Sequence, residues 1–254
     1  MATVLLATGL LALLVGCTSV PVADADPRLA AGIEDALANA DRSAADQRRD
    51  SSLQPAAVLS YLGAEPGMTV LELVAGDGYY TEALALAVGR EGRVYAQNPD
   101  WMLALRDGIN EKAMRVRLAG NRLPNVVRWD RDFPALGLGA DSVDLALIAL
   151  AYHELVQRED GSAAAMLWSV YQVLKPGGHF GVIDHVGIVG ADNAALGRIV
   201  PAQIKQAAFE AGFVLDGRSD LLASFSDDHR LSTVDARIRG RTDRVIYRFR
   251  KPER

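Results

Sequence analysis

The sequence predicts an α/β protein with a mostly parallel sheet and helices on both faces. Three observations carry that prediction. Strand-like and helix-like segments alternate over residues 69–250, the pattern of parallel strands joined by helical crossovers. Residues 143–150 form a nearly continuous apolar run, as expected of a strand buried on both faces. Residues 70–81 run from an apolar strand through Gly76 and Gly78 into a helical pattern, the strand–loop–helix layout of a nucleotide site.

The elements follow in order. Leu29, Ile33, Leu37 and Ala40 recur at helical spacing, so residues 27–50 read as helix, with a charged second half and a break before Leu53. Pro55 opens a short helix that Gly63 closes. Residues 65–68 turn into the first strand, 69–74, and residues 81–88 are helical. Strands are expected at 93–97, 126–129, 143–150 and 179–184, and helices at 100–118 and 163–174. Lys175-Pro176-Gly177-Gly178 stops the second of these helices and reverses the chain. A helix at 201–211 ends at Gly212, and strands at 213–219 and 243–250 finish the chain. Residues 221–241 form a long polar connection, and loops of that length are usually functional or disordered.

Composition narrows the function. Half of the 254 residues are hydrophobic and 23% are charged, which suits a globular chain with a real core. The net charge is −5 and no basic stripe is visible, so nucleic acid is not an expected partner. Residues 4–15 are apolar but too short to span a bilayer, which takes about 20 residues. They fit the h-region of a signal peptide, although no Lys or Arg precedes them. Leu14-Val15-Gly16-Cys17 resembles a bacterial lipobox, which implies a lipidated Cys17 and a protein exported to the periplasmic face of a membrane. The alternative is a cytoplasmic chain with an apolar tail. Cys17 is the sole cysteine, so no internal disulfide can form.

Glu72 precedes the glycines as E-x-x-x-G-x-G, whereas a dinucleotide site places its acid about 20 residues after them. That order resembles motif I of the class I S-adenosylmethionine-dependent methyltransferases. The resemblance implies a Rossmann-like fold with a seven-stranded, mostly parallel sheet and an antiparallel last strand. It also implies S-adenosylmethionine as cofactor, with Glu72 binding its methionine end through an ordered loop. Ala75, Gly76, Asp77 and Gly78 would form the loop that leaves it room. Val74 departs from the pattern, since the family often has Gly there. Lys175 to Gly178 before an apolar strand is a second family mark. The fuller set of P-G-M-T-V-x-E-L, Y-Y-T-E, A-x-N-P-D, D-D-H and T-D-R resembles a bacterial group of predicted exported methyltransferases. The expected organisation is a signal peptide and lipobox at 1–17, a linker and N-terminal helix at 18–52, and a methyltransferase domain at 53–254.

Ligands of such sheets bind beyond the carboxyl ends of the strands, so strand ends supply the site candidates. Asn98 stands where the family usually has an acid for the ribose hydroxyls, and it also reads as an Asn-Pro turn. Asp130 aligns with the residue that reads the adenine amino group, with Phe133 or Trp129 able to stack. The alternative there is a solvated charged loop. His153 and Glu154 follow the most apolar strand, where His153 can act as a base and Glu154 can orient it or bind an amine. Alternatively His153 covers the cofactor or caps the next helix. His185 follows the fifth strand and is the next candidate base. These histidines, with His229, lack a metal-binding spacing, so no metal is expected. The expected reaction is methyl transfer to a small-molecule or lipid-like acceptor. The competing readings are an exported binding module that has lost catalysis, and an NAD-dependent oxidoreductase whose glycine spacing is missing.

Overall fold

The computed structural model describes residues 25–253; the expected signal segment and Cys17 lie outside them. Three helices come first: α1 (Pro27–Asn39), α2 (Ala44–Leu53) and α3 (Pro55–Leu62). The sequence suggested a continuous helix over 27–50. It breaks because Ala40 is extended and the Ser43 hydroxyl caps a new helix by accepting from the Asp46 amide at 3.1 Å.

The alternating part runs β1 (Thr69–Leu73), α4 (Tyr79–Val88), β2 (Arg93–Asn98), α5 (Asp100–Arg117), β3 (Val126–Asp130) and β4 (Val143–Ala149). It continues with α6 (Tyr152–Gln157), α7 (Ser162–Val173), β5 (Leu174–His185), α8 (Asn193–Leu196), α9 (Pro201–Glu210), β6 (Val214–Ser219) and β7 (Arg244–Arg250). Two differences from the sequence reading bear on function. α5 is broken at Leu105, Arg106, Asp107 and Gly108, whose dihedrals leave the helical region. α6 is a separate helix that begins directly after β4.

The strands form one sheet in the order β3-β2-β1-β4-β5-β7-β6. The pairings among β1 to β5 are parallel, and β7 lies antiparallel between β5 and β6. Side chains alternate across the sheet, so neighbours in sequence serve opposite cores. Val70, Leu145, Leu147 and Ile246 pack under α3 and α4 with Leu59, Leu62 and Leu84. Leu71, Ala146, Ile148 and Phe249 pack on the other side with Leu155, Met166 and Val170. Each fully buried Leu or Ile contributes about 1.5–3 kcal/mol from leaving water. The strand order reverses between β1 and β4, and a crevice opens there at their carboxyl ends.

The polar connection at 221–241 is fixed by side-chain clasps. Arg198 donates to both oxygens of Asp227 at 2.9 and 3.0 Å in a fully buried pair. His229 Nε2 lies 2.9 Å from Asp243, whose other oxygen accepts from the Ser224 amide at 2.8 Å. The D-D-H and T-D-R signatures are thus the two halves of one clasp.

Candidate functional site

The crevice holds a cavity of about 240 Å³. Its floor is Glu72, Val74, Ala75, Gly76 and Asp77 from the end of β1. Its walls are Ala149, Leu150, Ala151 and Glu154 after β4, and Met102, Leu105, Arg106 and Asn110 around the break in α5. Arg49 and Leu53 of α2 complete it.

The loop after β1 is shaped by its neighbour strand. Gln97 Oε1 accepts from the Val74 amide at 3.0 Å, the Gln97 carbonyl accepts from Ala75 at 2.9 Å, and Asn98 Oδ1 accepts from Gly76 at 2.8 Å. These bonds hold Val74 at φ +52° and Gly76 at φ +58°. Leu150, at the end of β4, also has φ +59°. A β-branched residue in the left-handed region costs on the order of 1–2 kcal/mol, and such strain gathers at functional sites. Here two strained apolar residues end adjoining strands and line the same cavity.

The two loop glycines have different jobs. A Cβ on Gly76 would meet only the Val74 carbonyl, at 4.0 Å, so this glycine faces open space in the cavity. A Cβ on Gly78 would lie 2.5 Å from Met114 Sδ and 2.9 Å from Arg117 Cδ. Gly78, at φ +81°, is therefore required by the close approach of α5 and does not line the cavity.

Glu72 is buried, and its carboxylate accepts from the Thr81 hydroxyl. Burial raises its pKa from 4.5 to about 8. Glu154 is also raised, chiefly by burial. Asp77 caps the start of α4 by accepting from the Tyr79 amide at 3.1 Å, and it pairs with Arg49 at 2.7 Å. Arg49 lies 4.3 Å over the Tyr79 ring, and Tyr79 donates to Asp50 at 2.7 Å. Arg117 binds Asp46 at 2.9 Å and also pairs with Glu82. α2 is thus held over the site largely by charge, since of its apolar side chains only Leu53 is buried.

Two more expected cofactor residues, besides Gly78, sit outside the cavity lining. Asn98 is fully buried, and its amide is committed to Gly76; it braces the loop and does not line the cavity. Asp130 pairs with Arg128 at 2.6 Å on the half-exposed end of β3, also outside the cavity lining. The sequence reading missed Arg49, Leu53, Arg106 and Leu150. Periodicity gave no signal for Arg49 and Arg106, because a charged helix and a helix break both read as solvated chain, and it marked Leu150 only as the last residue of a strand.

The expected catalytic residues stay close, the rings of His153 and His185 lying edge to face with centroids 5.9 Å apart, but they do not line one common space. His153 Nδ1 lies 2.7 Å from Asp184 Oδ1, and Asp184 also accepts from the amides of His153 at 2.7 Å and His185 at 2.8 Å. Burial lowers the His153 pKa, but the charge and hydrogen bond of Asp184 outweigh it and the net shift is upward. Burial likewise works against Asp184's charge, and His153 overcomes it, so Asp184 is shifted down. This buried pair joins α6 to β5 and lines neither this cavity nor its neighbour. His185 differs. Burial drops its pKa to about 4, Thr242 Oγ1 lies 2.9 Å from its Nδ1, and it lines the second cleft. That cleft, about 630 Å³, shares Arg49, Leu53, Asp77 and Leu150 with the first cavity. Among the described residues no three or more His, Cys, Asp and Glu groups gather as a metal site, and no helix is long and apolar enough to cross a membrane.

Comparison with known proteins adds to this geometry. No protein-family model and no curated protein matches the chain. Solved structures do. A methyltransferase of Aquifex aeolicus described as S-adenosylmethionine-dependent is similar over 87% of this chain and 98% of its own, at 18% identity and a TM-score of 0.59. A protein of Galdieria sulphuraria named for sarcosine dimethylglycine methyl transfer matches over 89% of this chain and 99% of its own, at 14% identity and a TM-score of 0.60. The [4+2]-cyclase SpnF matches over 83% of each chain, at 16% identity and a TM-score of 0.55. With its sheet order, its antiparallel last strand and its site at the ends of β1 and β4, this chain has the Rossmann-like fold of the class I S-adenosylmethionine-dependent methyltransferases.

Proposed function

We propose that the protein transfers a methyl group from S-adenosylmethionine to a small-molecule acceptor. The observation that carries this is the cavity at the β1–β4 crevice, floored by a buried acid and by Gly76, whose missing side chain leaves the loop open to a ligand. The residues fit such a group. Glu72 would take the cationic amino end, and Arg106, whose charge also acts on Glu154 in the same cavity, would face its carboxylate. Val74, Met102, Leu105 and Leu150 give the apolar walls. When bound, the sulfonium supplies an activated methyl group, so the protein mainly has to align the acceptor and exclude water. α2 shields the cavity through Arg49 and Leu53. His185, uncharged at neutral pH, lines the adjoining cleft and is the candidate base, while His153 positions α6 against β5.

Calorimetry with S-adenosylhomocysteine tests the cofactor assignment. We expect saturable binding by wild type, weakened at least about tenfold in Gly76→Asn, since Asn tolerates a positive φ and would project into the cavity. Full affinity in that variant would move the cofactor elsewhere.

A second reading keeps the fold without methyl transfer. The likeness to a [4+2]-cyclase, together with Val74 at a glycine position and Asn98 at an acid position, favours it as the alternative, in catalytic or purely ligand-binding form. Tight S-adenosylhomocysteine binding with no turnover on any acceptor would select it. We also propose export with lipidation at Cys17, which places a lipid-like acceptor within reach. The support is the apolar run at 4–15 and the tetrapeptide ending in Cys17. Cys17→Ser should release the protein from the membrane fraction; a wild type that is already soluble with Met1 intact would end this proposal.

A further inference from the structure

We infer that the cleft beside the cofactor cavity selects an acceptor bearing an oxyanion, a carboxylate or a phosphoryl group, held by Arg244 and Arg239. The inference rests on the methyl-transfer reading, which makes this cleft the place where an acceptor would meet the cofactor's methyl group. The two spaces share four wall residues, so a molecule in one reaches the other.

The charge balance of the cleft points to an anion. Four arginines line it, against two aspartates. Arg49 and Arg117 are already neutralised, by Asp77 and by Asp46 with Glu82. Arg244 is not. It is only 4% exposed, yet it forms no salt bridge among the described residues. Its bonds go to neutral oxygens: the carbonyls of Ser52 at 2.7 Å and Gly240 at 2.9 Å, and the Thr242 hydroxyl at 3.2 Å. A guanidinium has five N–H donors, so two remain after these three. The acids nearest in sequence are engaged: Asp243 holds His229 and the Ser224 amide, and Asp227 holds Arg198.

A buried cation with no carboxylate in contact is expensive, and the ordinary remedy is pairing; here only the more distant charges of Asp243 and Asp227 act on Arg244. This chain leaves Arg244 unpaired at the edge of a cleft. Arg239, exposed and also lining the cleft, makes no side-chain bond among the described residues. Thr233 also lines the cleft and offers a hydroxyl. The Arg239 guanidinium, the two remaining N–H groups of Arg244 and a hydroxyl are the donor set of an oxyanion subsite, where charge-assisted bonds are about twice as strong as neutral ones. The long loop clasped by Asp227 and Asp243 acquires a purpose here, because it carries Thr233 and Arg239 to the cleft that β7 and Arg244 flank.

The test uses the full chain and three ring-bearing probes at fixed salt: phenyl phosphate, benzoate and neutral benzamide. We expect at least one anion to bind about tenfold more tightly than benzamide, and the tighter anion names the group preferred. Arg239→Gln should remove most of that preference. Arg239 is exposed and unbonded, so this variant keeps its fold. Arg244→Gln should remove it as well, with circular dichroism checking that α2 stays docked. Gly76→Asn should leave anion binding intact, which separates this site from the cofactor's. Benzamide binding as tightly as both anions, or anion preference unchanged in Arg239→Gln and Arg244→Gln, overturns the inference even if S-adenosylhomocysteine binds. Anion preference without S-adenosylhomocysteine binding keeps the subsite and removes the methyl-transfer reading.

Discussion

His153→Ala is expected to lose about 3–5 kcal/mol of folding stability, the usual cost of leaving one member of a buried ion pair behind. Asp184 is fully buried, and in this variant it would keep only the two amides of His153 and His185 as partners. Replacing both residues, as in His153→Leu with Asp184→Asn, should cost less than His153→Ala alone, because no uncompensated charge remains. Denaturant unfolding of the set measures this. The sign with pH is fixed by the two shifts. The raised pKa of His153 gives stability that is full below its unfolded value of 6.5 and is lost as pH rises through the folded one. The lowered pKa of Asp184 gives stability that is full above its unfolded value of 3.8 and is lost as pH falls through the folded one. The pair therefore contributes fully between 3.8 and 6.5. His185→Ala should behave differently, losing about 10²–10⁴-fold in turnover if it is the general base, with stability and cofactor affinity little changed. Equal stability of His153→Ala and wild type would refute the structural role.

Affinity for S-adenosylhomocysteine should climb with pH, by up to about tenfold per unit, until it levels near the pKa of Glu72 in the free protein. Burial puts that value at about 8, with the Thr81 hydroxyl and Arg117 working downward and Asp77 working upward. A cationic amine requires the ionised carboxylate, so below this pKa binding must first expel a proton. Calorimetry in buffers of different ionisation enthalpy should show proton release at pH 7 and none at pH 9. Glu72→Gln should abolish the release and flatten the slope, any remaining slope belonging to the ligand. The same carboxyl affects the free fold. Its raised pKa means the native state holds a proton that the unfolded chain has lost, so stability falls as pH rises from 4.5 to about 8. Above that range Glu72→Gln should be more stable than wild type. Identical proton release in wild type and Glu72→Gln would place the titrating group elsewhere.

The strands, most helices and the acid–glycine loop were legible because each is a local pattern. Short apolar runs gave β1 and β4, the Pro–Gly brackets gave α3, and Glu72 with Gly76 marked the loop after β1. A two-residue or 3.6-residue period carries that information within a short window. The structure decided the direction in which each marked residue points and what it meets. Gly78 turned out to serve the packing of α5, Asn98 the bracing of the loop, and His153 a buried ion pair, while His185 and Glu154 reached the cavities. These roles depend on partners far away along the chain. Arg49 meets Asp77 across 28 positions, Arg198 meets Asp227 across 29, and Arg244 meets the Ser52 carbonyl across 192. No local period encodes such pairs. The sequence by itself determined a doubly covered parallel sheet with a nucleotide-type loop at its first strand. Only the tertiary structure set α2 over the cavity between β1 and β4 and brought Arg239 and Arg244 to one cleft, because burial and charge pairing are settled between elements and not within them.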